Sequence, residues 1–394
     1  MKKNHFSFPG RLAVLGSTGS VGRQALAVAA EQGIAIDLLA ARRSVPLLEE
    51  QIRAFSPRFC AVTDPAAAAD LAVRVRDTGT RVLSGEDGLL AAIAQTDAAA
   101  AVNAILGKDG LAPTLAVLRR GMRLALSNKE SLVIAGEIVK KTARENRAEL
   151  LPVDSEHCAI FQCLLAGHPG EIRRILLTAS GGPFFGRHKE ELERVTKAET
   201  LAHPTWQMGE KITVDSATLM NKGFELIEAV HLFDVSPADV TVLVHRESII
   251  HSAVEYIDNT VIAQLSVPDM RSCVQYALSY PGRAPAVIPS LDLAKLATLS
   301  FAVPDEEAFP LLPLSRRAIL QGGAAPAILN AADEVAVGAF LREEISFAEI
   351  SRTVEETYEA TADLFAERSL EGILAADAAA REKTRELITA KRRV

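Results

Sequence analysis

Tryptophan occurs once and cysteine four times in 394 residues, and aromatic side chains make up only 5% of the chain. Cys60, Cys158, Cys163 and Cys273 are scattered and lack the paired spacings of a disulfide framework or a zinc site. Cys158 and Cys163 next to His157 invite a zinc reading, but isolated thiols pack well as small apolar groups, and that plainer reading is taken. Basic charge is not in excess: 43 Lys and Arg stand against 50 Asp and Glu, a formal net charge of -7. That balance leaves no electrostatic footprint for nucleic acid, so an anionic ligand has to be met by a local basic pocket. No apolar run reaches the roughly 18 residues of a membrane span. The start, Met1-Lys2-Lys3 and then Asn4 to Gly10, is no secretory apolar segment, so a cytoplasmic protein with no membrane partner is expected.

What is present is ample apolar material, 48% of residues, in a chain too long for one ordinary core, so two or three domains are expected. From Arg11 to Val153, short Val, Ile, Leu and Ala runs alternate with longer helical stretches, the pattern of βαβ units around a parallel sheet. Strands are expected at 11–16, 34–41, 59–63, 81–83, 99–105, 123–127 and 149–153. The fold class is therefore α/β, with a Rossmann-like parallel-sheet domain over 1–153. An α+β second domain over 154–281 follows, with a turn at Gly181-Gly182-Pro183 and β-rich runs at Lys211–Val214, Val240–His245 and Val261–Val267. Six prolines between Pro281 and Pro313 make 282–313 an extended connection, and Ala, Glu, Arg and Leu at helical spacing make 314–394 a helical bundle. Ile345, Ile350, Val354 and Tyr358 mark its buried face. The tail Lys391-Arg392-Arg393 reads as a solvated end before it reads as a nucleic-acid arm.

The first strand ends in Gly16-Ser17-Thr18-Gly19-Ser20-Val21-Gly22, a G-x-x-G-x-x-G spacing that opens a helix and would aim backbone N–H groups at a pyrophosphate. A tight strand-to-helix turn with no ligand explains the same glycines. The second strand ends in Ala41-Arg42-Arg43, where an NAD enzyme usually carries an acid for the ribose hydroxyls. Two guanidiniums suit a 2′-phosphate, so NADP(H) is favoured over NAD(H); Asp37 is the rival but falls inside the strand, and a solvated arginine pair is the bland alternative. Ser127-Asn128-Lys129-Glu130 ends another strand at the ligand edge of the sheet, although Ser127 as a helix cap would account for these letters too.

Asp154-Ser155-Glu156-His157 places two carboxylates where a strand gives way to a helix, within reach of one hard cation, or as an acidic first turn that suits the helix dipole. Further on come His203-Pro204-Thr205-Trp206-Gln207-Met208-Gly209 and Asp215 to Glu225. Ser216, Asn221 and Lys222 are donors suited to a phosphate monoester, and Glu225, four residues after Asn221, adds a third carboxylate on one helix face. Trp206 reads either as part of a lid that excludes water or as a core anchor.

Taken in order, the Gly16–Gly22 loop, Asn128-Lys129-Glu130, Pro152 to His157, the His203 run, Asp215 to Glu225 and Val267-Pro268-Asp269-Met270-Arg271 resemble the motifs of the 1-deoxy-D-xylulose 5-phosphate reductoisomerases along nearly the whole chain. The resemblance implies Asp154, Glu156 and Glu225 as ligands of Mg²⁺ or Mn²⁺, with Co²⁺ a third candidate. It implies a catalytic set of Lys129, Asp154, Glu156, His203 and Glu225, and substrate contacts from Ser155, Ser180, His203, Ser216, Asn221 and Lys222 together with Lys129, Glu156 and Glu225. NADPH would meet Thr18, Gly19, Ser20, Val21, Asn128, Glu130 and Gly209, and also Ala41, Arg42 and Arg43. At these last three the chain departs from the family, which often has glycine, a basic residue and Asn there. The implied reaction is rearrangement and reduction of 1-deoxy-D-xylulose 5-phosphate, a small sugar phosphate, to 2-C-methyl-D-erythritol 4-phosphate by a homodimer, a step in non-mevalonate isoprenoid precursor synthesis. The rivals are an NADP-dependent aldehyde dehydrogenase or reductase without rearrangement, which needs no three carboxylates, and a non-catalytic NADP-binding sensor.

Overall fold

The computed structural model describes residues 8, 10–206, 208–296 and 298–391. The charged start, Gln207 and Arg392-Arg393 of the basic tail, on which expectations were placed, lie outside the described residues. The chain forms two compact units, one of residues 1–131, 139–158 and 269–290, the other of 132–138, 159–268 and 291–394.

The first unit is built on seven strands: β1 (Arg11–Leu15), β2 (Ala35–Ala41), β3 (Phe59–Val62), β4 (Arg81–Ser84), β5 (Ala98–Asn103), β6 (Arg123–Leu126) and β7 (Leu150–Pro152). They pair in the order β4-β3-β2-β1-β5-β6-β7, and every pair is parallel. All seven expected strands are present, each within two residues of its expected bounds. The reason is legible in the letters: runs such as Leu12 to Leu15 and Leu38 to Ala41 are covered on both faces and need apolar residues without alternation. The order reverses between β1 and β5, which puts the crevice for a ligand beyond their carboxyl ends.

The second unit carries a four-stranded mixed sheet in the order β11-β10-β8-β9, with β8 (Ile172–Ala179), β9 (Val240–Val244), β10 (Ile250–Tyr256) and β11 (Val261–Leu265). β8 and β9 run parallel; β10 is antiparallel to β8 and β11. β9 and β11 match expected β-rich runs, but Lys211–Val214 does not: it lies in the helix Glu210–Ala217. Tertiary contacts override the β-branched letters. Thr213 Oγ1 donates to the Gly209 carbonyl (2.9 Å), and Lys211 Nζ reaches Asp215 one turn on (2.6 Å) and Asp333 on another helix (2.7 Å). Helices Leu311–Gln321, Ala325–Leu341, Phe347–Ala360 and Leu370–Lys391 form the expected helical part, burying Ile345, Ile350, Val354 and Tyr358. The proline-rich segment before them holds one short 3-10 turn, Leu293–Lys295, and a bridge from Ala302 to Val244, while Pro313 is already inside the first of these helices. Among the described residues no helix is long and apolar enough to cross a membrane.

Candidate functional site

In the first unit the Gly16–Gly22 loop turns off β1 onto the helix Ser20–Gln32. Gly16 has φ +84°, and a Cβ there would lie 2.6 Å from the Ala104 carbonyl oxygen; a Cβ on Gly22 would lie 2.1 Å from the Gly16 oxygen. The glycines thus let strand, loop and helix meet at backbone distance. Gly16 and Ser17 N–H both donate to the Ala40 carbonyl, so the end of β2 with Arg42 and Arg43 is stitched beside the loop. No side chain caps the helix, and its first N–H groups, from Ser20, Val21 and Gly22, point outward without an acceptor in the helix. An anion fits there, which favours a ligand over a bare turn. Arg42 and Arg43 are exposed and, among the described residues, pair with no carboxylate, whereas Ala41 is buried.

Asp37, the acidic rival, is consumed elsewhere. Its buried carboxylate takes Thr96 Oγ1 (2.6 Å), the Asp97 N–H (2.9 Å) and Arg11 Nε (2.9 Å), near the start of β2 and away from the loop.

β6 and β7 are neighbours, so the segments leaving them abut. Lys129 Nζ lies 2.7 Å from Asp154 Oδ2, and the fully buried His157 Nδ1 lies 3.4 Å from Asp154 Oδ1. Burial pushes the Asp154 carboxyl up, but the Lys129 ammonium and His157 outweigh it and hold the group well below the usual carboxylate range. Glu156, beside it, accepts Ser155 Oγ (2.5 Å). Ser127 does not cap the helix Glu130–Glu145. Asn128 does that work: its buried Oδ1 accepts the Ser131 N–H (3.1 Å) and hydroxyl, and its Nδ2 holds the Gly107 carbonyl (2.9 Å) and Glu130 Oε2 (2.8 Å). The helix starts two residues later than a Ser127 cap would place it, and the larger amide can span the gap between two loops. Asn103, at the end of β5, makes a similar brace to Gly110 and Thr114, and nothing in the sequence reading singled it out.

In the second unit β8 ends at Ser180, whose Oγ lies 2.9 Å from His203 Nε2. His203 Nδ1 accepts the N–H groups of Thr205 (3.2 Å) and Trp206 (2.9 Å), which assigns the neutral ring's proton to Nε2. Ser180 Oγ therefore accepts from His203 and from the Gly182 N–H (3.4 Å), leaving its own proton for a ligand. Burial, and then the charge of Arg246, push the His203 pKa down, in keeping with a neutral ring. A Cβ at Gly182 would lie 2.6 Å from the Ser216 carbonyl oxygen, so the glycine turn sits against the end of the Glu210–Ala217 helix and brings Ser216 near. The next helix, Met220–Phe233, places Asn221 Nδ2 2.5 Å from Glu225 Oε1, and the buried Lys222 pairs with Glu225 Oε2. The shared helix face expected for Asn221 and Glu225 is thereby realised. Trp206 is half-buried, its ring 6.3 Å from that of His251, and Gly209 is the N-cap position of the following helix. Sequence reasoning passed over His251 and Arg246, because both sit in a strand and turn whose letters carry no motif.

Three family models match the chain: 1-deoxy-D-xylulose 5-phosphate reductoisomerase over residues 12–136, its C-terminal domain over 150–233, and the DXP reductoisomerase C-terminal domain over 265–383. The 1-deoxy-D-xylulose 5-phosphate reductoisomerase of Thermodesulfovibrio yellowstonii is 44% identical over 380 residues, 96% of this chain and 99% of that protein. The protein of the same name from Aromatoleum aromaticum is 47% identical over 390 residues, 97% of this chain and 96% of its own. Among solved structures, the reductoisomerase from Zymomonas mobilis in complex with NADPH is 40% identical with a TM-score of 0.89, covering 96% of this chain and 99% of the other. A DOX-P reductoisomerase in complex with NADPH, fosmidomycin and magnesium is 38% identical with a TM-score of 0.92, covering 96% and 98%.

Proposed function

This chain belongs to the 1-deoxy-D-xylulose 5-phosphate reductoisomerase family, and from that premise we propose that it converts 1-deoxy-D-xylulose 5-phosphate to 2-C-methyl-D-erythritol 4-phosphate with NADPH and a divalent cation, in non-mevalonate isoprenoid precursor biosynthesis. The observation that carries the reading is the matching of all three segments, in order, over nearly the full chain. A simple dehydrogenase or a binding sensor has no such support.

NADPH would be held by the open N–H groups of Ser20 and Val21 with Thr18 and Gly19, by Arg42 and Arg43 at the 2′-phosphate, and at Asn128, Glu130 and Gly209. Asp154, Glu156 and Glu225 are the carboxylates that would serve Mg²⁺ or Mn²⁺. Their chemistry fits a hard cation, because all three donors are carboxylates and the Lys129 ammonium keeps Asp154 ionised. When bound, the cation supplies a Lewis acid and NADPH a hydride. Lys129 holds Asp154 in place and offers an ammonium to substrate oxygens beside Ser155. Ser180, His203, Ser216, Asn221 and Lys222 donate to the phosphate, and the neutral His203 does so through Nε2 and Ser180. Trp206, three residues after that histidine, would shield the bound sugar from water.

A homodimer is the assembly we infer: β11 is an edge strand that exposes Val261 and Ile262, with Ile257 beside it, an edge that a second copy would cover. Sedimentation of a monomer at micromolar concentration would refute it. A cytoplasmic location suits four buried cysteines that form no disulfide, and cell fractionation tests it. The activity is tested by mixing protein, Mg²⁺ or Mn²⁺, NADPH and 1-deoxy-D-xylulose 5-phosphate and following nicotinamide fluorescence. Loss of signal that needs both substrate and cation supports the reading, and turnover that survives EDTA refutes it.

A further inference from the structure

Two arginines flank the glycine turn of the second unit in similar settings. The guanidinium of Arg187 lies 5.1 Å from the Phe184 ring centroid and is neutralised by Glu199 at 3.3 Å. That of Arg246 lies 5.2 Å from the Phe185 ring centroid, yet among the described residues it pairs with no carboxylate. The neighbouring Glu247 is turned away, with Oε2 3.1 Å from His245 Nδ1 and Oε1 accepting Ser300 Oγ at 2.7 Å.

Arg246 grips the phosphate donors from both sides. Its Nη1 donates to the Gly182 carbonyl (3.0 Å), two residues from Ser180, and its own carbonyl accepts Thr205 Oγ1 (3.3 Å), two residues from His203. A half-buried cation without a counter-charge is unfavourable in the empty protein, so it marks a place where an anion is expected to arrive. Among the described residues only one of its five guanidinium donors meets an acceptor, and a guanidinium fork matches phosphate oxygens. The effect of its charge on the His203 ring agrees with the two groups lying close together.

We propose that Arg246 is a further positioning and specificity residue for a phosphate monoester: it fixes the Ser180–His203 pair and supplies the uncompensated positive charge that draws the phosphate to it. This inference rests on the sugar-phosphate reading of the same site and adds a residue to it.

The test uses the full chain with Arg246→Met, which keeps length without charge, and Arg246→Lys. Arg246→Met should raise KM for 1-deoxy-D-xylulose 5-phosphate roughly tenfold, the effect of one charge-assisted contact, with kcat within about a factor of two. Arg246→Lys should recover most of the loss, and KM for NADPH should stay put. Inorganic phosphate serves as the probe independent of turnover: calorimetry with the NADPH-loaded protein should show its binding weakened by a similar factor in Arg246→Met. If the unaltered chain binds phosphate in this Arg246-dependent way but does not turn over the sugar phosphate, the activity assignment fails and the role of Arg246 stands. An unchanged KM and unchanged phosphate binding in Arg246→Met would overturn the proposal. So would a fall in kcat alone, failure of lysine to rescue, or an equal loss in NADPH affinity. A matched thermal midpoint in all three proteins separates these results from misfolding.

Discussion

On the function proposed above, the ligand-facing edge of the first unit and that of the second would solve the same problem, receiving an anion, by different means. At the Gly16–Gly22 loop the backbone would be the receptor: glycines allow close approach and the first helical N–H groups lack acceptors in the helix, while beyond β6 and β7 the buried Asp154 carboxylate is already compensated by Lys129. At the second edge side chains would be the receptor: Ser180, His203, Ser216, Asn221, Lys222 and Arg246 come from a strand end, two helices and two turns. The glycine loop is thus sensitive to shape, whereas Asp154 and the second edge are sensitive to charge and proton placement.

That contrast can be broken at its strongest point by Asp154→Asn, which keeps shape and removes charge. Loss of this proposed cation ligand should lower kcat/KM roughly a thousandfold, on the order of 4 kcal/mol, while NADPH binding holds, measured by steady-state kinetics beside cofactor fluorescence titration. A mild defect would show that the first edge owes little to carboxylate charge.

Proton placement in the second unit has its own signature. Burial pushes the His251 pKa down to about 4, against about 6.5 for a free ring. A ring whose folded pKa is depressed contributes stability that is fully present above 6.5 and is lost as pH falls from 6.5 toward 4, about 3 kcal/mol in all. Trp206, the only tryptophan, reports on that unit, so its fluorescence melt should fall steeply over this window and flatten in His251→Gln. Equal slopes in both proteins would remove His251 as the titrating group.

A shape change without charge probes the first edge. Gly22→Ala forces a methyl to within 2.1 Å of the Gly16 carbonyl, and overpacking of about 1–3 kcal/mol should weaken NADPH binding by more than about tenfold while substrate contacts in the second unit are untouched. The smallest effect concerns selectivity. Replacing Arg42 and Arg43 with Ala should narrow the preference for NADPH over NADH by roughly tenfold, whereas Asp37→Asn should leave that ratio unmoved and lower only stability. A shift in the ratio on changing Asp37 would mean that the buried carboxylate senses the ribose after all.

Much of this was readable in advance, and unevenly. The first unit's strands announce themselves because parallel strands covered on both faces are uninterrupted apolar runs, and its loop because only glycine tolerates such approach. The mixed sheet hides better. Its central strands β8 and β10 carry Arg173, Arg174, His251, Ser252 and Glu255, and they were passed over because those polar letters are satisfied across strands, Arg174 to Glu255 at 2.6 Å for one. Lys211–Val214 erred in the opposite sense, β-branched residues drawn into a helix by Asp215 and Asp333.

By itself the sequence determined the alternation of strand and helix, the glycine loop, and the ordered carboxylates and donors that carry the family likeness, since each depends on residues close together in the chain. Only the tertiary structure decided which charges are already spent. Asp37 meets Arg11 and Thr96, Asp154 meets Lys129, and Arg246 meets no carboxylate at all among the described residues. Those partners stand from 25 positions (Lys129 to Asp154) to 59 (Asp37 to Thr96) away along the chain, and a charge's burial and neighbours, which set its chemistry, exist only once the distant segments are packed.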